Sequence, residues 1–309
     1  MAMGLSLGAL ACARRSWWIW AGVLIALAVS SQQFALLVAA PLVVLAQGNR
    51  RIRFVGAAVI TTALVTLPLI GLSSGRAVSA VLLGSSSAPS FGGTVLWEMH
   101  LHGSLLVGAS RVFPIVLALL LAWWVQRRLG PVLLEPVPLL ALVATSLSLR
   151  LVFEETLFGY YFMALAVALV LLDIAGGHVR WQLVAWLALV TLTFNPVPSG
   201  LFVSNSQSWG IQAREVLPVL GIVVGLLFIG FDAARRTVRW YLVAWVAFVA
   251  LAFAKPPWAG LPLRQALPTW LIQVVLVTSG VALAVAPLIS LGREHAESNP
   301  RLTVGARHG

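Results

Sequence analysis

Residues 109–126 read ASRVFPIVLALLLAWWVQ, and this stretch decides the fold class. Arg111 is its only charged residue, and two further arginines, Arg127 and Arg128, follow it directly. A helix needs about 20 apolar residues to cross the hydrocarbon core of a bilayer. An apolar stretch of this length that ends in a pair of arginines predicts a membrane-spanning helix with its end at the cytoplasmic surface.

The whole chain has a similar composition. Of its 309 residues, 60% are hydrophobic and 9% are charged, whereas a soluble domain has about 45–50% and about 25%. So few charges do not cover the surface of a soluble protein, which excludes a cytosolic globular enzyme, a disordered chain and a coiled coil. The formal net charge is +11, but without a soluble basic face we expect no nucleic acid as a partner. We predict an all-α, polytopic membrane protein whose partner is the lipid bilayer.

Apolar runs bounded by charges or by Pro and Gly mark the predicted helices. The runs lack the period-two alternation of a membrane β-strand, so we expect a helix bundle throughout. We predict about eight spanning helices and, before them, a short hairpin or re-entrant pair of helices. The runs cover residues 18–30, 33–47, 54–73, 109–126, 132–149, 157–173, 181–195, 215–231, 240–254 and 269–290.

The basic residues predict the orientation. If 14 of the 20 face the cytoplasm, as the positive-inside rule requires, the helices alternate in direction without conflict. The chain is then a multi-pass protein of the plasma membrane with a cytoplasmic C-terminus, and six basic residues face outward. The cytoplasmic set is Arg14, Arg15, Arg50, Arg51, Arg53, Arg127, Arg128, Arg180, Arg235, Arg236, Arg239, Arg293, Arg301 and Arg307, and the outward set is Arg76, Arg111, Arg150, Arg214, Lys255 and Arg264.

We expect one transmembrane domain, residues 1–290, followed by a cytoplasmic polar tail, residues 291–309. Residues 1–12 are apolar, too short to span, and preceded by no basic segment. We therefore interpret them as the remnant of a truncated helix rather than as a signal peptide. The segment 74–108 is predicted to be a long outer loop.

Residues 16–47 are expected to form a broken helix pair. Arginines of the same predicted side flank the segment, so it must leave that side and return to it. It divides at the polar sequence Ser30 to Gln33. Gln32 and Gln33 there either form hydrogen bonds between helices or line a cavity.

Arg150, Glu154 and Glu155 lie at the junction of two predicted helices on the outward side. One of the glutamates is expected to pair with Arg150 across one helical turn, and the other is a candidate general base. A purely structural ion pair is the alternative. Tyr160 and Tyr161, one turn later, are predicted to line the same cavity or the membrane interface.

Glu98, His100 and His102 alternate along an outward segment, so an extended backbone would place them on one side. Glu98 is a further candidate catalytic carboxylate. Imidazole and carboxylate also suit a divalent cation. The spacing is unspecific, and solvated loop side chains are the alternative, so we predict no resident metal or cofactor.

Arg111 and Arg264 are outward arginines near predicted membrane boundaries. Such an arginine either extends to the interface or binds a phosphate with its planar guanidinium. The chain has no phosphate-binding glycine loop and no hydrolase or protease motif. Soluble NTPase and protease chemistry are therefore unsupported.

Three segments, in the same order, resemble those of polytopic C-type (GT-C fold) glycosyltransferases, in particular bacterial polyprenyl-phosphate-mannose-dependent mannosyltransferases. The first is residues 22–34, which lead into Pro41 and the basic turn at residues 50–53. The second is residues 102–111, where His102-Gly replaces the family's Asn-Gln pair. The third is residues 158–165, on a helix that ends at Asp173.

The resemblance implies sugar transfer from a polyprenyl-phosphate donor to an envelope glycolipid or glycan on the outer face. It implies that cationic and polar side chains hold the lipid-linked phosphate and that a carboxylate deprotonates the acceptor. The candidate carboxylates are those at positions 98, 154 and 155, and the candidate donor-binding residues are Arg111, Arg150, Arg264, Gln32, Gln33 and Tyr160.

One departure from the family concerns its catalytic aspartate, which lies in a first outer loop. That loop and the helix before it have no counterpart here, and no aspartate precedes Asp173. We therefore expect the chain alone to be inactive or to act with a separately encoded N-terminal partner. The alternatives are a small transporter or flippase-like protein and a non-catalytic membrane subunit.

Overall fold

A computed structural model of the chain describes residues 1–72, 104–154, 159–194, 237–241, 243–244 and 269–298. All regular elements in these ranges are helices, which confirms the all-α prediction. They are α1 (Ala2–Arg14), α2 (Trp18–Ser31), α3 (Ala35–Leu45), α4 (Asn49–Leu72), α5 (Ser104–Leu129), a short 3₁₀ helix (Gly130–Leu134), α6 (Pro136–Phe153), α7 (Gly159–Gly176), α8 (Trp181–Phe194) and α9 (Thr269–Ser298).

Four helical stretches are long and apolar enough to cross a membrane, so the chain has the helices of a membrane protein. The other apolar helices in the described ranges have 10–17 residues. The predicted number of about eight spans stays a prediction. The four stretches are Asn49–Pro68, Gly108–Leu134, Pro136–Phe153 and Leu271–His295.

Helix α6 lies at the centre of the bundle and contacts α3, α5, α7 and α9. It begins with Pro136 at a position where a missing backbone N–H costs nothing. Its side chains are apolar around most of its circumference, as expected of a helix buried on all sides. Thr145 satisfies its hydroxyl by donating to the carbonyls of Ala141 (2.8 Å) and Ala284 in α9 (3.0 Å).

Helices α1, α2 and α4 form a second layer, in which α2 contacts both neighbours. Gly22 allows α2 and α4 to approach closely, because a Cβ atom there would lie 2.3 Å from the carbonyl oxygen of Phe54. Trp18 packs edge-on against the Phe54 ring at 6.3 Å. Residues 2–12 of the apolar N-terminal segment lie within α1, and Leu7 and Leu10 are fully buried.

The helix pair in residues 16–47 is interrupted at its polar sequence: α2 ends at Ser31, and α3 begins at Ala35. At the far end of α3, Arg51 of α4 donates from Nε to the carbonyls of Val43 (3.0 Å) and Ala46 (2.9 Å). These carbonyls lie at the end of α3, where the backbone has no partners within the helix. Arg51, predicted from the sequence to set orientation, therefore also holds the end of α3.

Arg180 and Trp186 hold helix α9 by donating hydrogen bonds to its backbone carbonyls. Pro287 has no N–H to donate to the carbonyl of Leu283, and Arg180 donates to that carbonyl instead (2.8 Å). One turn earlier, Trp186 of α8 packs over Gly280 and donates to the carbonyl of Leu276 (2.9 Å). Helix α9 continues to residue 298, into the segment predicted to be a polar tail.

Candidate functional site

Residues from three distant parts of the chain line one small cavity, which we call the arginine cavity. Gln33 precedes α3, Arg111 lies near the start of α5, and Arg150 lies in the last turn of α6. The cavity has a volume of about 30 Å³, which accommodates a single water-sized group. Its lining is completed by Leu36, Leu37, Ser110, Pro114 and Ile115.

Prolines interrupt the hydrogen bonding of two helices that form walls of the arginine cavity. Pro41 in α3 has no N–H for the carbonyl of Leu37, and Pro114 in α5 has none for the carbonyl of Ser110. Leu37 and Ser110 both line the cavity. Each helix therefore lacks one internal hydrogen bond at the cavity wall, and neighbouring helices, hydroxyl side chains or water usually satisfy such a carbonyl in a membrane protein.

Arg150 is held by Glu154 and Tyr161. Its Nε donates to Glu154, and its Nη2 donates to the hydroxyl of Tyr161 at 3.1 Å. The guanidinium carbon also lies 4.2 Å from the centre of the Tyr161 ring, within the range of a cation–π contact. The side chains of Arg150 and Glu154 are only 13% and 11% exposed. These contacts fix the guanidinium at the cavity with little freedom to move.

The lining of the arginine cavity contains two arginines, Arg111 and Arg150, of which Arg150 is paired with Glu154. The residues that line it in the described part of the chain include no carboxylate. Phe113 and Phe153 pack 6.2 Å apart and join α5 to α6 beside these arginines. Two guanidiniums in a mostly apolar setting favour an anion with oxygen acceptors, such as a phosphate.

The sequence-predicted site residues divide into three groups. Gln33, Arg111, Arg150 and Glu154 come together as described above. Gln32 is exposed and is not among the residues that line the cavity. The remaining predictions fall on residues or side chains outside the described part of the chain, and they are Glu98, His100, His102, Glu155, Arg264 and the side chain of Tyr160.

Of the two tyrosines predicted to line the cavity or the interface, the structure places Tyr161 against Arg150, and the side chain of Tyr160 lies outside the described part of the chain. Ser110 was not selected from the sequence, although it lines the cavity. Pro114 could have indicated Ser110, because a proline has no N–H to donate to the carbonyl four residues before it in a helix.

The candidate metal ligands gain no support from the described helices. Among the described residues, no group of three or more His, Cys, Asp or Glu side chains lies in an arrangement that holds a metal ion. His100 and His102 lie outside those residues, so their interpretation as ligands stays a prediction.

A second polar cluster lies at the other end of α7. Asp173 is fully buried and accepts from Arg180 Nε (2.5 Å), from the Arg180 backbone N–H (2.8 Å) and from the hydroxyl of Tyr241 (2.8 Å). The sequence predicted only a role in orientation for Arg180. The position of Asp173 at the end of an apolar run could have indicated this pairing, because an acidic residue in such a run usually needs a basic or polar partner.

Comparisons of the chain with protein-family models, curated proteins and solved structures found no match. The basis for a functional proposal is therefore the chemistry of the two polar clusters. The Asp173 cluster has a clear structural task, since Arg180 joins α7 to the interrupted turn of α9. The arginine cavity presents two guanidiniums to a space that can admit a ligand atom, which makes it the candidate site.

Proposed function

We propose that the protein is a membrane glycosyltransferase-like enzyme. It transfers a sugar from a polyprenyl-phosphate donor to an envelope glycolipid or glycan on the outer face of the plasma membrane. The observation that supports this proposal is the convergence of Gln33, Arg111 and Arg150 on one cavity. A lipid-linked donor reaches such a site from the bilayer, and guanidiniums match its phosphate.

The residues take distinct roles in this proposal. Arg111 and Arg150 bind the phosphate and stabilise the negative charge that it gains as the bond to the sugar breaks. Glu154 and Tyr161 act as positioning residues for Arg150. Since the cavity holds one water-sized group, one phosphate oxygen enters it and the rest of the phosphate stays at its mouth.

The base that deprotonates the acceptor is a second carboxylate. Because Glu154 accepts from Arg150, it is the glutamate that forms the predicted pair across one turn. Glu155, the next residue along the chain, is then the first candidate for the base, and Glu98 is the second. Arg264, in another outward segment, is a further candidate for binding the donor.

The membrane arrangement is part of the proposal. We place about eight spans in the plasma membrane, α2 and α3 as a re-entrant pair, and the C-terminus in the cytoplasm. In support, Arg111 and the pair Arg127 and Arg128 lie at opposite ends of α5, separated by about 24 Å at 1.5 Å per residue. If the arginine pair faces the cytoplasm, the arginine cavity lies near the outer surface.

The proposal is tested with membranes from cells that express the chain, incubated with polyprenyl-phosphate mannose labelled in the sugar. Label is expected to move from the donor into an acceptor lipid or glycan, and membranes from cells with an empty vector provide the control. Membranes of the source organism supply any separately encoded partner. Absence of chain-dependent transfer in both kinds of membrane contradicts the proposal.

A transporter is the second candidate, and the interruption between α2 and α3 favours it. Broken helices at membrane depth often carry the substrate site of transporters, and Gln33 at this break lines the arginine cavity. A transporter would move the lipid-linked sugar across the membrane of reconstituted vesicles without consuming it. Flux with intact donor would support this candidate and contradict sugar transfer.

A further inference from the structure

A long apolar groove lies between α2, α3 and α4. Its volume is about 470 Å³, within the range of about 300–1,000 Å³ that is usual for small-molecule sites. Thr62 and Thr66 line it, and Thr66 donates its hydroxyl to the carbonyl of Thr62 in its own helix (2.7 Å); all other lining residues are apolar. Other lining residues include Val29, Ala39, Val43, Ala58 and Ala63.

The groove follows α4 through much of the membrane. Its lining on α4 extends from Phe54 to Leu67, a distance of about 20 Å at 1.5 Å per residue. One end lies beside Val43, whose carbonyl accepts from Arg51 at the basic end of α4. The hydrocarbon core of a bilayer is about 30 Å thick, so the groove has the length and direction of a lipid chain.

The arginine cavity lies next to the groove. Leu36, in the first turn of α3, lines both of them. An apolar channel about 20 Å long therefore adjoins a cavity that holds the guanidiniums of Arg111 and Arg150. This combination is complementary to a molecule with a long hydrocarbon chain and an anionic end group.

We infer that the groove and the arginine cavity together bind one isoprenoid lipid phosphate. Its hydrocarbon chain lies along α4 between α2 and α3, and its phosphate contacts Arg111 and Arg150 beyond Leu36. The inference rests on the proposed function for the choice of an isoprenoid chain, and it adds the path of that chain. The small side chains Ala39, Ala58 and Ala63 leave the space that the chain fills.

The test measures binding of radiolabelled farnesyl phosphate to the full chain, purified in detergent micelles. Farnesol and inorganic phosphate serve as competitors, because they separate the contributions of the chain and of the phosphate. Unlabelled farnesyl phosphate is expected to compete at least tenfold better than either. Equal competition by farnesol would mean that the arginines do not bind the phosphate, and equal competition by phosphate would mean that the groove does not contribute. Either result overturns the inference.

Two variants of α4 form a matched pair. Ala63→Phe fills the groove, whereas Leu64→Phe lies on the same helix at a side chain that is 71% exposed and is not part of the lining. Ala63→Phe is expected to weaken binding of farnesyl phosphate at least tenfold, and Leu64→Phe less than twofold. Equal affinities of the two variants overturn the inference.

Photo-crosslinking of the wild-type chain covers the case in which Ala63→Phe fails to fold. A farnesyl phosphate with a diazirine on its hydrocarbon chain is expected to label peptides of α2, α3 or α4 that line the groove, and labelling confined to α5–α9 overturns the inference. Because no sugar or acceptor is present, binding without transfer would contradict only the proposed function. Transfer without binding in the groove would contradict only this inference.

Discussion

Asp173 and Arg180 show how a buried charge joins separate helices. Asp173 is fully buried at the end of α7, and Arg180 neutralises it while donating to the carbonyl that Pro287 leaves without a helical partner in α9. One guanidinium therefore satisfies both a buried carboxylate and an interrupted helix. A buried charge that loses its partner is strongly destabilising, even where the pair itself adds little to stability.

Replacement of Arg180 by alanine is expected to lower the free energy of unfolding by about 3–5 kcal/mol, since it leaves the Asp173 carboxylate uncompensated. Thermal unfolding in detergent measures this loss. Arg128→Ala is the matched control, because that arginine is exposed and its contact with the Trp124 ring at 4.2 Å is worth about 0.5–1 kcal/mol. Equal melting temperatures of the two variants would contradict the role of Arg180.

At the scale of elements, the contact between α2 and α4 depends on a glycine. Gly22 faces the backbone of α4, whereas Gly56, on α4 itself, has no neighbouring heavy atom within 4 Å of the position that a Cβ atom would take. Both glycines lie within helices, where alanine has the higher helix propensity by about 1 kcal/mol. The two positions therefore separate the effect of helix packing from the effect of helix propensity.

Gly22→Ala is expected to destabilise the protein by about 1–3 kcal/mol, because the added methyl group pushes α2 away from Phe54. Gly56→Ala is expected to be neutral or stabilising by up to about 1 kcal/mol. Melting temperatures of both variants in the same detergent make the comparison. The packing described for α2 and α4 is refuted if Gly22→Ala melts at or above the temperature of Gly56→Ala.

Element boundaries were predictable where the sequence changes abruptly. The polar residues at 30–33 marked the interruption between α2 and α3, and Arg127 with Arg128 marked the end of α5. The end of α9 was not predictable in this way, because its helix continues to residue 298 through polar residues. Hydropathy reports where apolar side chains stop, whereas a helix continues as long as its backbone hydrogen bonds do.

At the scale of the whole molecule, the arginines towards the two ends of α5 lie in different surroundings. Arg127 and Arg128 are exposed and pack over Trp123 and Trp124, as expected at a membrane interface. Arg111, at the other end, lines the arginine cavity. The proposed orientation assigns the first end to the cytoplasm and the second to the outside.

Single cysteines test this orientation in a chain whose one native cysteine, Cys12, is replaced by alanine. Ser86→Cys lies in the predicted outer loop, and His178→Cys lies at the exposed turn between α7 and α8. A membrane-impermeant maleimide is expected to label Ser86→Cys in intact cells and His178→Cys only after permeabilisation. The reverse pattern would invert the orientation and place the arginine cavity on the cytoplasmic side.

The candidate site was predictable only in part. The pairing of Arg150 with Glu154 follows from their spacing of one helical turn, because that contact is local. The meeting of Gln33, Arg111 and Arg150 depends on the packing of α3, α5 and α6, which no local pattern encodes. The contact between Tyr161 and Arg150 depends in the same way on the rotation of α7 against α6, which the sequence does not specify.

The central claim is that Arg111 binds the phosphate of a lipid-linked sugar, and sugar transfer by two arginine variants of α5 tests it most directly. Loss of charge-assisted hydrogen bonds worth about 1.5–3 kcal/mol predicts that Arg111→Gln lowers kcat/KM for the polyprenyl-phosphate sugar by about tenfold to about hundredfold. Arg128→Gln, at the other end of the same helix, should stay within about twofold of the wild type, as usual for an exposed side chain away from the site. Equal rates for the two variants would contradict the account.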